Sequence, residues 1–241
     1  MKNKYQEKGN NPTEPFHNPS YKTAIVIGAT GLVGYQLVRL LLNDGSFGKV
    51  KVFTRRTLNL SSSKLEEHIV DFEKLNSWKD ALTGDVLFSA LGTTRRKAGS
   101  KQAQFRIDHH YQHTCAKAAA ENGVPVLVLV SSVGADPKSR LFYPRIKGLL
   151  ERDVYELPFQ HVVIIRPGPL YGPRPEKRTG EAFGMILVRI MNRFGVLKRY
   201  RPIHGEEVAR AMIRSIGVLT RRKMVWSDLD LFELAGQSHA G

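Results

Sequence analysis

A largely apolar run, Thr23-Ala24-Ile25-Val26-Ile27, breaks directly into Gly28-Ala29-Thr30-Gly31-Leu32-Val33-Gly34. The run suits a strand buried on both faces, as in a parallel sheet. Residues 32–42 then repeat apolar side chains at helical spacing. In such a strand–turn–helix, Gly28 would permit the tight turn, Gly31 a close backbone approach to a pyrophosphate, and Gly34 close packing of helix on strand. Phosphates would meet the free N–H groups and the positive dipole end of the new helix. The spacing is GxxGxxG rather than GxGxxG, and tight turns need glycine for their own sake, so the rest of the chain must supply the context.

That context is an alternation of strands and helices. Residues 49–54, 67–70, 85–91, 126–130 and 161–165 read as strands, and residues 101–122 as a helix stopped by Gly123 with Pro125 soon after. A helix begins near Pro144, and two more are expected over 181–194 and 206–219. The segment 167–178, with Pro167, Pro169, Pro173 and Pro175, is an irregular loop. Alternation of this kind predicts an α/β fold, a doubly wound parallel sheet of the Rossmann type with helices on both faces. The 241 residues fit one such domain over 21–241, with a small C-terminal substrate cap formed by segments at about 170–205.

Residues 1–20 are polar, rich in Asn, Lys and Pro, and are expected to be a disordered leader without the apolar segment of a secretory signal. No apolar stretch reaches the ~20 residues that cross a bilayer, so no membrane insertion is expected. One cysteine, Cys115, excludes an internal disulfide and suits a reducing compartment, from which a cytoplasmic location is expected. Within the helical stretch it reads as a packed small hydrophobe. His109, His110 and His113 cluster without the accompanying acid and histidine spacing of a metal centre, and no metal is expected.

The formal charge of +15 collects at Arg55-Arg56, Arg95-Arg96-Lys97, Lys198-Arg199-Tyr200-Arg201 and Arg221-Arg222-Lys223. No zinc-ligand spacing, recognition helix or RNA-binding aromatic motif accompanies them, so no specific nucleic acid is expected as a partner. The last two clusters read as solvated surface. Arg95, Arg96 and Lys97 follow a strand end, where they could rim the site of an anionic small molecule; a solvated loop explains them equally well.

Doubly wound sheets bind ligands at the carboxyl ends of their strands. After the second strand come Arg55 and Arg56, where an NAD site would carry an acid for the ribose 2′-hydroxyl. Two guanidiniums and no acid favour the 2′-phosphate of NADP(H). After the strand 126–130 come Ser131 and Ser132, then Tyr143 and Lys147, four apart on one helical face. A free phenol ionises near pH ~10, and a neighbouring ammonium would lower that value toward the range of a useful proton shuttle.

With these residues the chain resembles the short-chain dehydrogenase/reductase superfamily, related to the NAD-dependent epimerase/dehydratases. More narrowly it resembles the atypical branch that contains the Tat-interacting protein. The resemblance rests on the glycine turn, on Leu91-Gly92-Thr93-Thr94-Arg95 with Lys97-Ala98-Gly99, on Ser131-Ser132-Val133-Gly134-Ala135-Asp136, on Tyr143 with Lys147, and on Arg166-Pro167-Gly168. It implies Tyr143 as general acid/base, Lys147 as the residue that bonds the nicotinamide ribose and lowers the tyrosine pKa, and Ser132 as the holder of the substrate carbonyl, with Ser131 as fallback. Gly28, Thr30, Gly31, Leu32, Val33, Arg55 and Arg56 would bind the adenine half of NADP(H), and Asp71 would reach the adenine. Leu91, Gly92 and Thr93 would line the cofactor, and Pro167, Gly168 and Leu170 would flank the nicotinamide. Many relatives carry an asparagine that supports a proton relay where this chain has Asp108, and the interval from Ser132 to Tyr143 is short, implying a reduced substrate loop. His204 and Glu207 fall in a run that, in extended relatives, secures the last helix.

The expected function is an NADPH-dependent oxidoreductase acting on a carbonyl or hydroxyl compound. The alternative is a non-catalytic NADPH-binding regulator that acts through a protein partner. Cofactor binding without turnover would favour the latter.

Overall fold

The computed structural model describes residues 21–172 and 201–236, the side chains of Asp228 and Leu229 excepted. Six strands run in the first part of the chain: β1 (Lys22–Ile27), β2 (Phe47–Thr54), β3 (Leu65–Ile69), β4 (Val86–Ser89), β5 (Val126–Val130) and β6 (His161–Arg166). Two short strands, β7 (Leu170–Tyr171) and β8 (Ile203–His204), pair with each other, and β9 (Lys223–Ser227) returns to the main sheet. The order is β3-β2-β1-β4-β5-β6-β9 with every neighbouring pair parallel, the doubly wound arrangement that the alternation predicts.

Both faces of the sheet are covered, which is why its central strands are apolar throughout rather than alternating. Ala24 and Val26 pack on one side beneath α1 (Leu32–Asn43) and a later helix (Gly205–Ser215). Ile25 and Ile27 pack on the other, beneath α4 (Tyr111–Glu121) and α5 (Phe142–Tyr155). Successive side chains of one strand thus feed two separate cores. Between β4 and α4 lie α2 (Arg95–Ala98) and α3 (Lys101–Phe105); the helices Gly205–Ser215 and Asp228–Ala235 are α6 and α7.

Two glycines set the geometry of the first crossover. Gly28 has φ +85°, and a Cβ there would sit 2.4 Å from the carbonyl carbon of Ala90 and from the Leu91 nitrogen, so the turn also lets β1 meet the chain leaving β4. A Cβ on Gly34 would lie 2.2 Å from the Gly28 carbonyl oxygen, which fixes α1 directly on its own turn.

Three features depart from the sequence expectation. The strand expected over 85–91 stops at Ser89, and the Ala90 N–H bonds the Ile27 carbonyl at 3.0 Å as the chain leaves the sheet. The helix expected over 101–122 is interrupted by a wide turn at Arg106–His110, where the Tyr111 N–H reaches back five residues to the Arg106 carbonyl. The cluster at 221–223 is not merely solvated. Lys223 opens β9, and the Arg222 guanidinium donates to the carbonyls of Tyr155, Leu157 and Phe159 at 3.3, 2.9 and 3.3 Å. Similarly, the Arg201 guanidinium lies 4.9 Å from the centre of the Phe232 ring. The expected leader, the helix at 181–194 and most of the expected cap fall outside the described residues, whereas the helix expected over 206–219 is present as α6 with one further 3₁₀ turn, Ile216–Val218.

Gly34→Ala is expected to lower stability by about 1 to 3 kcal/mol, because a methyl group meets a backbone carbonyl that cannot move independently of the sheet. A urea denaturation midpoint unchanged from wild type would refute this packing role.

Candidate active site

The carboxyl ends of β1, β2 and β4 carry the residues expected to hold a dinucleotide. The cap position of α1 is Gly31, and no side chain caps this end, so the N–H groups of the first turn are left for an acceptor from outside the helix. The register places Ile27 beside Phe53, so Arg55 and Arg56 leave β2 next to the glycine turn. Both are exposed, and the Thr54 hydroxyl donates to the Arg56 carbonyl at 3.1 Å, turning the chain at this edge. These features, an uncapped helix end over a cradle that a Cβ would fill and two cations beside it, fit a dinucleotide. Asp71 leaves the end of β3, where its carboxylate accepts the Glu73 N–H at 3.0 Å as a helix cap.

The second half of the site lies where β4, β5 and β6 end. Ser131 and Ser132 follow β5, but they are differently engaged. Ser131 is buried and its hydroxyl donates to Glu151, which also takes both the Nε (3.0 Å) and an Nη of Arg166. Its hydroxyl is thereby committed, whereas the Ser132 hydroxyl donates to the Val133 carbonyl at 3.2 Å and acts on Tyr143, favouring its phenolate. The loop to α5 is short and tightly held: the Asp136 N–H bonds the Pro144 carbonyl at 3.1 Å, and a Cβ on Gly148 would lie 2.3 Å from the Asp136 carbonyl carbon. α5 begins at Phe142, two residues before the expected start. Pro144 falls in the first turn, where its missing N–H costs no helical bond.

Tyr143 and Lys147 share one face of α5, with the Lys147 Nζ 5.9 Å from the centre of the Tyr143 ring. Lys147 is buried and faces Asp108 Oδ1 at 3.4 Å. Asp108 is fully buried in the wide turn after α3. Its Oδ2 accepts the Thr93 N–H at 3.2 Å, and Gln112 Nε2 holds its carbonyl at 2.8 Å. Gln104 Nε2 reaches the Thr93 carbonyl at 3.4 Å, so the loop carrying Leu91, Gly92 and Thr93 is anchored from both sides. Pro167, Gly168 and Leu170 follow β6, and the Pro167 carbonyl accepts the Val133 N–H at 3.1 Å, drawing that segment beside Ser132.

The electrostatics differ in one respect from the expectation built on the Tyr–Lys spacing. Burial pushes the Tyr143 phenol above its ordinary value; Lys147 pulls it down, Asp108 pushes it further up, and the contact with Ser132 lowers it, for a net direction upward. For Lys147, burial acts downward but is outweighed by the attraction of Tyr143, Asp108 and Glu151, so the ammonium is held above its usual range. Burial likewise raises the Asp108 carboxyl against the pull of Lys147.

Glu151 is the participant that the residue pattern did not single out, although it completes a row with Tyr143 and Lys147 at intervals of four. Cys115 is buried and its thiol is pushed up to about 12, in keeping with a packing role. His109 Nε2 lies 2.9 Å from Asp153. His204 caps α6: its Nδ1 accepts the Glu206 N–H at 3.3 Å while Glu207 accepts the His204 N–H at 2.7 Å, the structural role expected of that pair.

The sequence profile of the NAD(P)H-binding family matches residues 28–180, well over half of the chain. The chain belongs to the NAD(P)H-binding family. Curated relatives named Protein FMP52, mitochondrial, occur in Eremothecium gossypii and in Saccharomyces cerevisiae. The first is 39% identical over 196 residues, covering 79% of this chain and 86% of the relative; the second is 38% identical over 195 residues, covering 77% and 84%. Among solved structures, MoeE5 in complex with UDP-glucose and NAD superposes with a TM-score of 0.65 at 22% identity, over 85% of this chain and 75% of that one. An ADP-L-glycero-D-manno-heptose-6-epimerase from Helicobacter pylori gives 0.66 at 16% identity, over 87% and 77%. These structural likenesses establish the Rossmann-like fold shared with short-chain dehydrogenases and epimerases.

The relatives overturn the cytoplasmic expectation, since FMP52 proteins across several fungi are named mitochondrial. A reducing compartment was all that the single cysteine could indicate, and that property does not separate one such compartment from another. Among the described residues no helix is long and apolar enough to cross a membrane.

Arg166→Met would leave the Glu151 carboxylate buried without its cation. Stability is expected to fall by about 2 to 3 kcal/mol, below the usual cost for a fully buried pair because Arg166 is 32% exposed. Chemical denaturation of the variant measures this, and a change within about 0.5 kcal/mol would show that the pair is not structural.

Proposed function

We propose that the protein is an NADPH-dependent oxidoreductase of the atypical short-chain dehydrogenase/reductase type, acting on a small carbonyl or hydroxyl compound. The observation that carries the reading is the convergence of Tyr143, Lys147 and Ser132 beside the ends of β4 and β5. NADP(H), when bound, would supply or accept the hydride. Tyr143 would give or take the proton at the substrate oxygen, Ser132 would hold that oxygen by hydrogen bond, and Lys147 would bond the ribose. Gly28, Thr30, Gly31, Leu32 and Val33 would cradle the diphosphate, with Leu91, Gly92, Thr93, Pro167, Gly168 and Leu170 along the cofactor and Asp71 toward the adenine. Arg55 and Arg56 would select the 2′-phosphate, an assignment supported by their exposure beside the glycine turn. Placement in the branch of the Tat-interacting protein belongs to the same proposal, resting on the run from Leu91 to Gly99, and the segment at about 170–205 would cap the substrate. Arg95, Arg96 and Lys97, exposed on α2, would meet an anionic substrate.

A second reading, an NADPH-binding regulator that acts through a protein partner, is favoured by one observation: Lys147 is already paired with Asp108. Cofactor binding without turnover over a broad carbonyl panel would decide for it.

Replacing Arg55 and Arg56 together by alanine is expected to weaken NADPH binding more than about tenfold while leaving NADH binding nearly unchanged, the loss expected for charge-assisted bonds to one phosphate. Calorimetric titration with both cofactors tests this; equal losses for the two would remove the case for NADP. Tyr143→Phe is expected to cut turnover by at least about a hundredfold with cofactor affinity retained. Turnover that survives the substitution would exclude Tyr143 as the acid/base.

A further inference from the structure

We infer that Asp108 is a positioning residue that cancels the charge of Lys147 beside Tyr143, so that Tyr143 is kept in its phenol form and the site works as a carbonyl reductase rather than as an alcohol dehydrogenase. The inference rests on the reading of Tyr143 as the proton-transfer group and adds the direction of the chemistry.

The argument begins with burial. Asp108 is fully buried and Lys147 is 2% exposed, so neither charge is screened by water, and each is the other's counter-ion at 3.4 Å. A lone buried ammonium 5.9 Å from the centre of the Tyr143 ring would stabilise a phenolate. With Asp108 attached, the two groups together carry no net charge, whether the proton resides on the lysine or on the carboxyl. Asp108 thus opposes most directly the pull of Lys147 on the phenol, and the cost of burying a phenolate outweighs what is left of that pull together with the Ser132 hydroxyl. Among the described residues the charged groups that act on Tyr143 are Lys147 from its own helix and Asp108 from the wide turn. Glu151, farther along α5, acts on Lys147 in the same sense as Asp108.

The carboxylate is held at this place by construction. The wide turn at Arg106–His110 brings residue 108 inward, Gln112 secures its carbonyl, and the Thr93 N–H fixes its second oxygen. Gln112 is itself fixed by the Ser89 hydroxyl at 2.8 Å from the end of β4. An uncharged amide of the same shape could keep the Thr93 bond's geometry only by presenting its oxygen there, and it would leave the ammonium uncompensated.

The functional consequence follows from proton balance. In carbonyl reduction a bound reduced nicotinamide would supply the hydride to the carbon, the C=O π pair would move to oxygen, and that oxygen would take the Tyr143 proton. The phenolate then recovers a proton from solvent. This direction needs the neutral phenol at the outset, whereas alcohol oxidation needs the phenolate. A site that disfavours the phenolate is therefore ready for reduction over a wide pH range and reaches the oxidising form only in alkali.

The test is a pH titration followed by NMR of protein carrying ring-labelled tyrosine, with the Tyr143 signal assigned by its loss in Tyr143→Phe. In wild type the signal should keep its phenol position past pH ~10, the ordinary tyrosine value. In Asp108→Asn it should move to the phenolate position at least about one unit lower, the displacement expected when a nearby ammonium loses its counter-ion. A wild-type midpoint below about 10 overturns the inference, as does a folded Asp108→Asn with no downward shift. Should that variant fail to fold, the wild-type titration decides alone. A merely structural Asp108 would leave the titration where it is. The measurement requires no turnover, so it stands apart from the oxidoreductase reading: Tyr143→Phe with unimpaired NADPH turnover would sink that reading while leaving the titration result intact.

Discussion

The site depends on how closely three backbone segments meet at the carboxyl edge of the sheet. Gly28 has no Cβ, and so the turn after β1 can lie against Ala90 and Leu91 as they leave β4, while Gly34 brings α1 onto the same turn. Any side chain at Gly28 would push β4's exit away from β1. The loop from Leu91 to Thr93 would then be displaced, together with the Asp108 carboxylate that it touches through Thr93. The glycine turn and the cluster of Asp108, Lys147 and Tyr143 are in this sense one construction, joined through the backbone at β4.

Around that junction the polar groups are arranged in two pairs, one buried and one partly exposed, with different tasks. Glu151 and Arg166 tie α5 to the end of β6 and occupy the Ser131 hydroxyl. Asp108 and Lys147 tie the wide turn to α5 beneath Tyr143. Burying charges is costly unless each is paired and hydrogen-bonded, so such pairs contribute little net stability but fix relative placement. Their effect here is to hold Tyr143, Lys147 and Ser132 in one location although they come from a helix and from the loop after β5.

Much of this architecture is readable from residue patterns, for specific reasons. Strands β1, β5 and β6 announce themselves because burial on both faces demands unbroken apolar runs, and the parallel order follows from the intervening helices. β9 was concealed because the approach to it, Arg221-Arg222-Lys223, is strongly cationic. Edge position and the three carbonyls that satisfy Arg222 make this cluster compatible with a strand entry, and no local pattern reveals such distant acceptors. The break in the helix over 101–122 was equally hidden, since a wide turn preserves helical composition and differs only in one hydrogen-bond register.

The sequence by itself determined the fold class, the strand–turn–helix over Gly28 and Gly34, and the placement of Tyr143 and Lys147 on one helical face. These follow from local geometry, from the period of a strand or a helix and the freedom of glycine. Only the tertiary structure decided that Ser131 was engaged by Glu151, that Asp108 stood against Lys147, and that the phenol of Tyr143 was raised rather than lowered. Those outcomes depend on burial and on groups tens of residues apart in the chain. The strength and even the sign of an electrostatic effect are set by what surrounds a charge, which spacing along the chain does not record.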